Sequence, residues 1–214
     1  MVKELKVSFI PGVSGGFSLS ELSLFLNGQP RHAIDNLLWD ATGYFPEVGF
    51  ALAYTDDSIL LKYFVKEKYV RAFYREANDP VFNDTCVEFF IALNGDTKYY
   101  NLEFNCAGTT SIAYGADRHN RIDVPANFVK KIKTSSNIQA SANNELISWE
   151  LTLQIPFEVF NHHHINSLKN EVCRANFYKC GDELPEPHFM SWNNVISPQP
   201  NFHLSAFFGN VKFQ

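Results

Sequence analysis

The sequence predicts an all-β domain: a sandwich of two antiparallel sheets, jelly-roll-like, with one or two short helices. Three observations carry that reading. Apolar residues alternate with period two in run after run, as in strands with one buried face. Asp, Asn and Gly punctuate those runs at short intervals, as tight turns require. Aromatic residues make up 15% of the chain, 20 of them Phe, and broad rings suit a pleated surface. Across 214 residues no repeat, low-complexity tract or linker divides the text, so residues 1–214 read as a single domain.

The elements follow in order. Met1-Val2-Lys3-Glu4-Leu5 already reads as a strand. Ser18-x-x-Glu21 is a capping box before Leu22, Leu24, Phe25 and Leu26, and Asn27-Gly28 stops that helix. Phe50, Leu52 and Tyr54 alternate up to the turn Asp56-Asp57-Ser58, and Ile59, Leu61, Tyr63 and Val65 return as the second strand of a hairpin. Val87, Phe89, Ile91 and Leu93 point one way, Glu88 and Phe90 the other. After the turn Asn94-Gly95-Asp96, Tyr100, Leu102 and Phe104 share a face opposite Asn101, Glu103 and Asn105. A second short helix is read at Pro125–Ile132, and one helical turn at Pro156–Phe160. Trp149, Leu151, Leu153 and Ile155 form another alternating strand; Arg174, Asn176 and Tyr178 share a face of a later one. Between Cys180 and His203 lie Pro185, Pro187, Pro198, Pro200, Trp192 and His188. A structureless stretch of that length is uncommon in a compact domain unless it is functional, and its prolines stiffen it into a candidate wall for a binding site.

Composition excludes several classes. The net charge is −5 and no basic block exceeds Lys130-Lys131, which argues against a nucleic-acid partner. No apolar run nears the ~18 residues that span a bilayer, so no membrane partner is expected. The N-terminus lacks a signal-peptide stretch, which places the protein in the cytoplasm if that start is native, or outside it (secreted or periplasmic) if a signal was trimmed. Cys86, Cys106, Cys173 and Cys180 form no C-x-x-C pair and read as buried free thiols. His162-His163-His164 cannot all face one ion and reads as solvated surface.

Four segments carry a family resemblance. Asp84-Thr85-Cys86-Val87-Glu88-Phe89-Phe90-Ile91 resembles the D-S-V-E-x-F-I-D strand of family 9 carbohydrate-binding modules. Tyr99-Tyr100-Asn101-Leu102-Glu103-Phe104-Asn105 is similar to the family's paired tyrosines and the strand that follows them. Trp149-Glu150-Leu151 through Ile155-Pro156 resembles its W-x-x-x-x-x-I-P strand. Ser191-Trp192, Phe202-His203 and Phe207-Phe208-Gly209 resemble its closing segment. Asn176 to Asp182 and Pro187 to Trp192 resemble hallmarks of a single-domain branch of family 9-like proteins, related to the wider group of DOMON-type domains. The resemblance covers the chain from about Asp35 onward, so no appended catalytic domain is expected within it.

That resemblance implies binding of a mono- or oligosaccharide, of the kind derived from xylan or cellulose, in carbohydrate catabolism beside xylanases or other separately encoded glycoside hydrolases. It implies a sugar clamp whose two tryptophan positions fall at Phe82 and Phe202. It makes Glu88 and Asn105 contact residues, and puts Glu103 where the family has an Arg. Arg71, Arg118 and Arg174 are candidates for the missing cation, while His203 and Trp192 join the set from the Pro-rich segment. No cofactor is required. Calcium is a further possibility through Asp56, Asp57, Asp79 or Asp84, though none has EF-hand spacing.

Two rival readings stay open at this point. Glu88 and Glu103 could serve as the paired carboxylates of a glycoside hydrolase acting on O-glycosyl bonds. The DOMON likeness admits haem ligation through Met190 and His188, or a bound apolar ligand.

Overall fold

The structure, a computed structural model, describes residues 2–11, 17–40, 42–141 and 145–214. Its strands are β1 (Glu4–Phe9), β2 (His32–Ala33), β3 (Asn36–Leu38), β4 (Glu47–Tyr54), β5 (Ser58–Glu67), β6 (Cys86–Ala92) and β7 (Tyr99–Asn105). They continue as β8 (Thr110–Gly115), β9 (Arg121–Asp123), β10 (Lys133–Ala140), β11 (Ile147–Pro156), β12 (Val172–Cys180), β13 (Phe189–Ser191) and β14 (Gly209–Phe213). One sheet runs β10-β11-β5-β4, with β2 on β4; the other runs β14-β12-β6-β7-β8-β9, with β13 and β3 beside the end of β12. Strand β1 joins them. Glu4–Val7 pair with β14 and Ser8–Phe9 with β4, both in parallel. The expected sandwich is therefore present, with one departure from a purely antiparallel build: a strand that switches sheets forms its corner.

Period-two alternation fills the space between the sheets. Phe50 from one sheet stacks on Phe177 of the other at 3.8 Å, and Phe177 stacks on Phe89 at 4.9 Å. Val87, Ile91, Leu102, Phe104, Leu61, Tyr63, Trp149 and Leu151 complete this core, each such side chain contributing about 1.5–3 kcal/mol on full burial.

One ion pair crosses the core. Lys179 Nζ at the end of β12 lies 3.1 Å from Glu67 Oε2 at the end of β5, both side chains wholly buried. Trp149 Nε1 donates to Glu67 Oε1 at 2.6 Å, and Lys179 also donates to the Cys180 carbonyl at 2.9 Å. His188 Nε2 sits 2.9 Å from the same ammonium. Burial, with Lys179 beside it, pushes the His188 imidazole down to about 3. A neutral ring that accepts from the lysine fits this geometry.

Helix α1 (Leu19–Asn27) covers the outer face of the first sheet, laying Leu22 and Leu26 on Ala53 and Leu60. Its capping box is formed, with Ser18 and Glu21 bonding each other's backbone N–H. Lys62 emerges beneath it, buried, donating to Ser23 and Asn27 and pairing with Glu150 at 2.6 Å. The second helix, α2, is shorter than expected, Ala126–Val129 only, because the chain then turns into β10. The turn at Pro156–Phe160 is a 3₁₀ turn over Phe157–Val159.

Of the triple-His segment, His162 and His164 are exposed as expected, and His163 alone is half-buried. His163 Nδ1 is 3.0 Å from the Tyr100 hydroxyl and its Nε2 is 3.5 Å from Asp96, while the His162 ring stacks on Tyr114 at 4.5 Å. His162 stays exposed beside that ring, and His164 is exposed as well. The segment is a pinned turn, because two of its rings have aromatic and acidic neighbours to settle on.

Candidate functional site

The strands that fill the core with one face build a polar floor with the other. Cys86, Glu88 and Phe90 of β6, Asn101, Glu103 and Asn105 of β7, and Asn176, Tyr178 and Cys180 of β12 all point away from the core. The register sets Tyr178, Glu88 and Glu103 abreast on successive strands. Like charges directly opposite each other on one sheet face destabilise it, so this pair is not explained by packing.

Its surroundings are unequal. Glu103 takes a hydrogen bond from Asn101 Nδ2 at 2.9 Å and has Arg121 Nη1 at 3.6 Å. Glu88 Oε1 accepts from the Cys180 thiol at 3.1 Å. Burial, then repulsion from Glu103, pushes the Glu88 carboxyl well above the usual range; burial also raises Glu103, with Arg121 pulling it back. Two buried carboxyls side by side thus keep a proton where solvated ones would lose it.

Above this floor lies a cavity of about 130 Å³. The 3₁₀ turn Val81–Asn83 contributes Phe82, the segment around β9 contributes Arg118 and Arg121, and the Pro-rich segment contributes Asp182, Phe189, Pro200, Asn201, Phe202 and His203. Trp39, just after β3, completes the wall. Phe202 lies flat on Tyr178 at 4.2 Å, and Trp39 is 5.8 Å from Phe202 and 6.0 Å from Phe189. The Trp39 indole donates to the Ser197 carbonyl at 2.7 Å, which ties the wall to the Pro-rich segment. Trp39 has φ of 48°, a left-handed conformation that costs a bulky residue about 1–3 kcal/mol. Such strain persists only where the surroundings hold it. His203 Nδ1 lies 3.0 Å from the Tyr99 hydroxyl, and its imidazole is pushed down to about 3 by burial and by Arg121 and Arg118. Asp182 is pushed up to about 6 by burial, against the pull of Arg118.

The chain matches the family model for carbohydrate-binding family 9 over residues 21–213. It belongs to carbohydrate-binding family 9. This family 9 domain is 38% identical to a Bacteroides uniformis protein to which carbohydrate binding is attributed, with all of both chains aligned and a TM-score of 0.90. It shares its fold with a family 9 module from Caldicellulosiruptor kristjanssonii solved with glucose: TM-score 0.61, 11% identity, 99% of this chain and 96% of that one covered. The same holds for a module from that organism solved with cellotriose: TM-score 0.64, 10% identity, with 99% and 94% covered. No curated protein matches it in sequence.

Phe82, Glu88, Glu103, Arg118, Phe202 and His203, all singled out by sequence, come together at the cavity of this family 9 domain. Four others lie outside it. Asn105 is fully buried and bonds Asp84, the Tyr74 carbonyl and the backbone of Ala107 and Thr109, which makes it a loop anchor. Arg71 reaches Asp84, Glu183 and the Asn83 carbonyl. Arg174 donates to the carbonyls of Ser205 and Asp96. Trp192 belongs to the core, edge-on to Phe50 and Phe177, and so close to Gly209 that a Cβ there would meet its ring at 2.4 Å.

The cation beside Glu103 is Arg121, which sequence reasoning did not name; nor did it name Trp39, Asp182, Phe189 or Asn201. Each lies on a loop or a three-residue strand where no alternation marks a face. The carboxylates considered for calcium do not converge. Asp57 caps Thr55 and Ser58, Asp79 caps Arg75 and Glu76, and Asp84 accepts from Phe73, Tyr74 and Asn105. Met190 is wholly buried in the core and His188 is held by Lys179, so neither can present itself to a haem. The interior is packed with side chains, so the room for a ligand lies outside the sandwich.

Proposed function

We propose that this domain holds a mono- or oligosaccharide in the cavity on β6, β7 and β12, and does not cleave it. The observation that carries this is the lining itself: apolar ring surface on the walls, and acceptors and donors of both charges on the floor and rim. Sugars offer both kinds of partner, C–H faces for rings and hydroxyls for charged groups. Phe82 and Trp39 supply ring surface, with Phe202 supporting Trp39 from its stack on Tyr178. Glu88 and Glu103 accept hydrogen bonds from hydroxyls; Arg118 and Arg121 donate to hydroxyl oxygens; the neutral His203 and Asn201 can do either. The Trp39 indole compensates for the smaller phenyl rings at Phe82 and Phe202. A ligand derived from cellulose or xylan fits this reading, given glucose and cellotriose in the structures of related fold. Work alongside separately encoded glycoside hydrolases would follow from such a ligand.

The Glu88–Glu103 pair favours holding over cutting. A glycosidase sets its two carboxyls on either side of the scissile bond. Here they are direct cross-strand neighbours on one floor, both beneath whatever enters. Calorimetric titration with glucose, xylose, cellobiose and xylo-oligosaccharides is expected to give one saturable site with at least one of them, weakened in Phe202→Ala. No heat with any sugar, or unchanged affinity in Phe202→Ala, would remove the proposed site. Turnover of aryl glycosides that disappears in Glu88→Gln would replace holding with hydrolysis.

A further inference from the structure

We infer that the cavity floor is also a binding site for a divalent cation of the zinc class, held by the sulfurs of Cys86 and Cys180 and a carboxylate oxygen of Glu88. The sheet register makes this cluster. Cys180 of β12 is the direct antiparallel partner of Cys86 of β6, and Glu88 follows Cys86 by two residues on the same face. One ligand atom from each of the three lies within 4.8 Å of the other two, and all three side chains are buried. Cys180 Sγ is 3.1 Å from Glu88 Oε1. A tetrahedral ion with ~2.3 Å bonds to sulfur and ~2.0 Å bonds to oxygen spaces its ligands about 3.5–3.8 Å apart. The 3.1 Å between Cys180 Sγ and Glu88 Oε1 and the 4.8 Å limit on the group bracket that spacing.

Three features set this apart from ordinary buried thiols. The donors differ in kind: two sulfurs and one oxygen suit zinc and its soft neighbours and disfavour calcium or magnesium. Access exists, because Cys180 and Glu88 both line the cavity, which leaves a fourth tetrahedral position open to water or to a ligand oxygen. The Glu88 carboxyl is also thinly partnered. Glu88 is only 3% exposed, faces a second carboxyl, and among the described residues its carboxylate takes a hydrogen bond from a thiol alone, while Arg121 sits on Glu103. A thiol is a weak donor for a buried carboxyl. A cation between Glu88 and the two sulfurs takes the place of the protons that the buried carboxyl and thiols hold, releasing them to solvent as it binds.

The other two cysteines provide an internal contrast. Cys106 Sγ contacts the Arg71 carbonyl at 3.7 Å, and Cys173 is buried in the core. The cation site stands or falls independently of sugar binding, because its probe is the metal alone. The full chain, reduced and metal-free, is titrated with Co²⁺ under anaerobic conditions. The expected result is a thiolate-to-cobalt charge-transfer band that saturates at one equivalent and is bleached by one equivalent of Zn²⁺. The band is expected to vanish in Cys86→Ser and Cys180→Ser and to persist in Cys173→Ser. Glu88→Gln, nearly isosteric and safe for folding, is expected to weaken Zn²⁺ at least tenfold while keeping a band. No band with the unaltered chain, a band that survives in folded Cys180→Ser, or unchanged Zn²⁺ affinity in Glu88→Gln would overturn the inference.

Discussion

Two buried acidic sites in this domain are built on opposite principles. At the ends of β5 and β12, Glu67 has one carboxylate oxygen on the Trp149 indole and the other 3.1 Å from Lys179, which in turn rests on His188 and a backbone carbonyl. On the opposite face of the sheet that holds β12, Glu88 of β6 and Glu103 of β7 oppose each other, with a thiol, an amide and one arginine at 3.6 Å around them. The first site is closed and balanced in charge; the second is open to a cavity and short of partners. A buried charge matched inside the protein serves structure, whereas one left under-matched beneath a cavity waits for something from outside.

The sharpest way to break this contrast is to remove a partner from each site. Lys179→Met strands the Glu67 carboxylate in the core and is expected to destabilise the fold by about 3–5 kcal/mol, measured by denaturant unfolding. Glu67→Gln in the same chain should recover part of that loss. Glu88→Gln should behave differently, changing stability by no more than about 1 kcal/mol because the pair already holds a proton and the amide takes the place of the protonated carboxyl. Its cost should appear in sugar affinity, reduced at least tenfold, or about 1.4 kcal/mol, by calorimetry. A collapse of stability in Glu88→Gln would erase the distinction between the two sites.

Acid sharpens the comparison next. His188 titrates near 6.5 when unfolded and near 3 in the folded protein, so below about pH 6.5 the unfolded chain binds a proton that the native one refuses. Stability is therefore lost progressively as pH falls from about 6.5 toward 3, by up to about 2 kcal/mol at pH 5. His188→Gln retains an acceptor for Lys179 without titrating and should flatten the melting temperature over that window. His203 has the same sign, so some acid sensitivity should remain in the variant. An unchanged pH profile in His188→Gln would contradict the closed-network account.

A smaller effect is expected at the cavity wall. Trp39→Ala removes ring surface and is expected to weaken sugar binding several-fold. Its stability loss should stay modest, since Trp39 is only half-buried at the cavity wall; the alanine Cβ leaves the left-handed backbone as strained as before. The smallest effect belongs to Arg174→Gln, which lies outside the cavity and should leave sugar affinity unchanged.

What could be read from the sequence follows the same division. Strands with one buried face announce themselves, and β4, β5, β6, β7, β11 and β12 were all legible from alternation. Strand β10 was not, because it is an edge strand whose residues are nearly all exposed, so Lys133-Thr134-Ser135-Ser136-Asn137 carries no apolar period. Alternation also identified Glu88 and Glu103 as sharing the face away from the core. It could not show that Asn105, on that same face, turns into the loop below, nor which arginine meets Glu103. Arg121 is brought in by the β8–β9 hairpin, whose second strand is only three residues long and shows no alternation, and Trp39 by the pairing of β3 with the distant β13, which leaves no local signal. The Pro-rich segment was recognisable as a wall, and it supplies Asp182, Phe189 and Phe202 to the cavity.

The most direct test of the central claim is a crystal structure of the domain grown with saturating cellobiose, glucose or xylose. The account predicts one sugar ring beside Trp39 and Phe82, with hydroxyls within hydrogen-bond reach of Glu88, Glu103 and Arg121. Sugar bound elsewhere with this cavity left to water, for instance in the groove near Arg31, His32 and Phe64 on the opposite sheet, would contradict it.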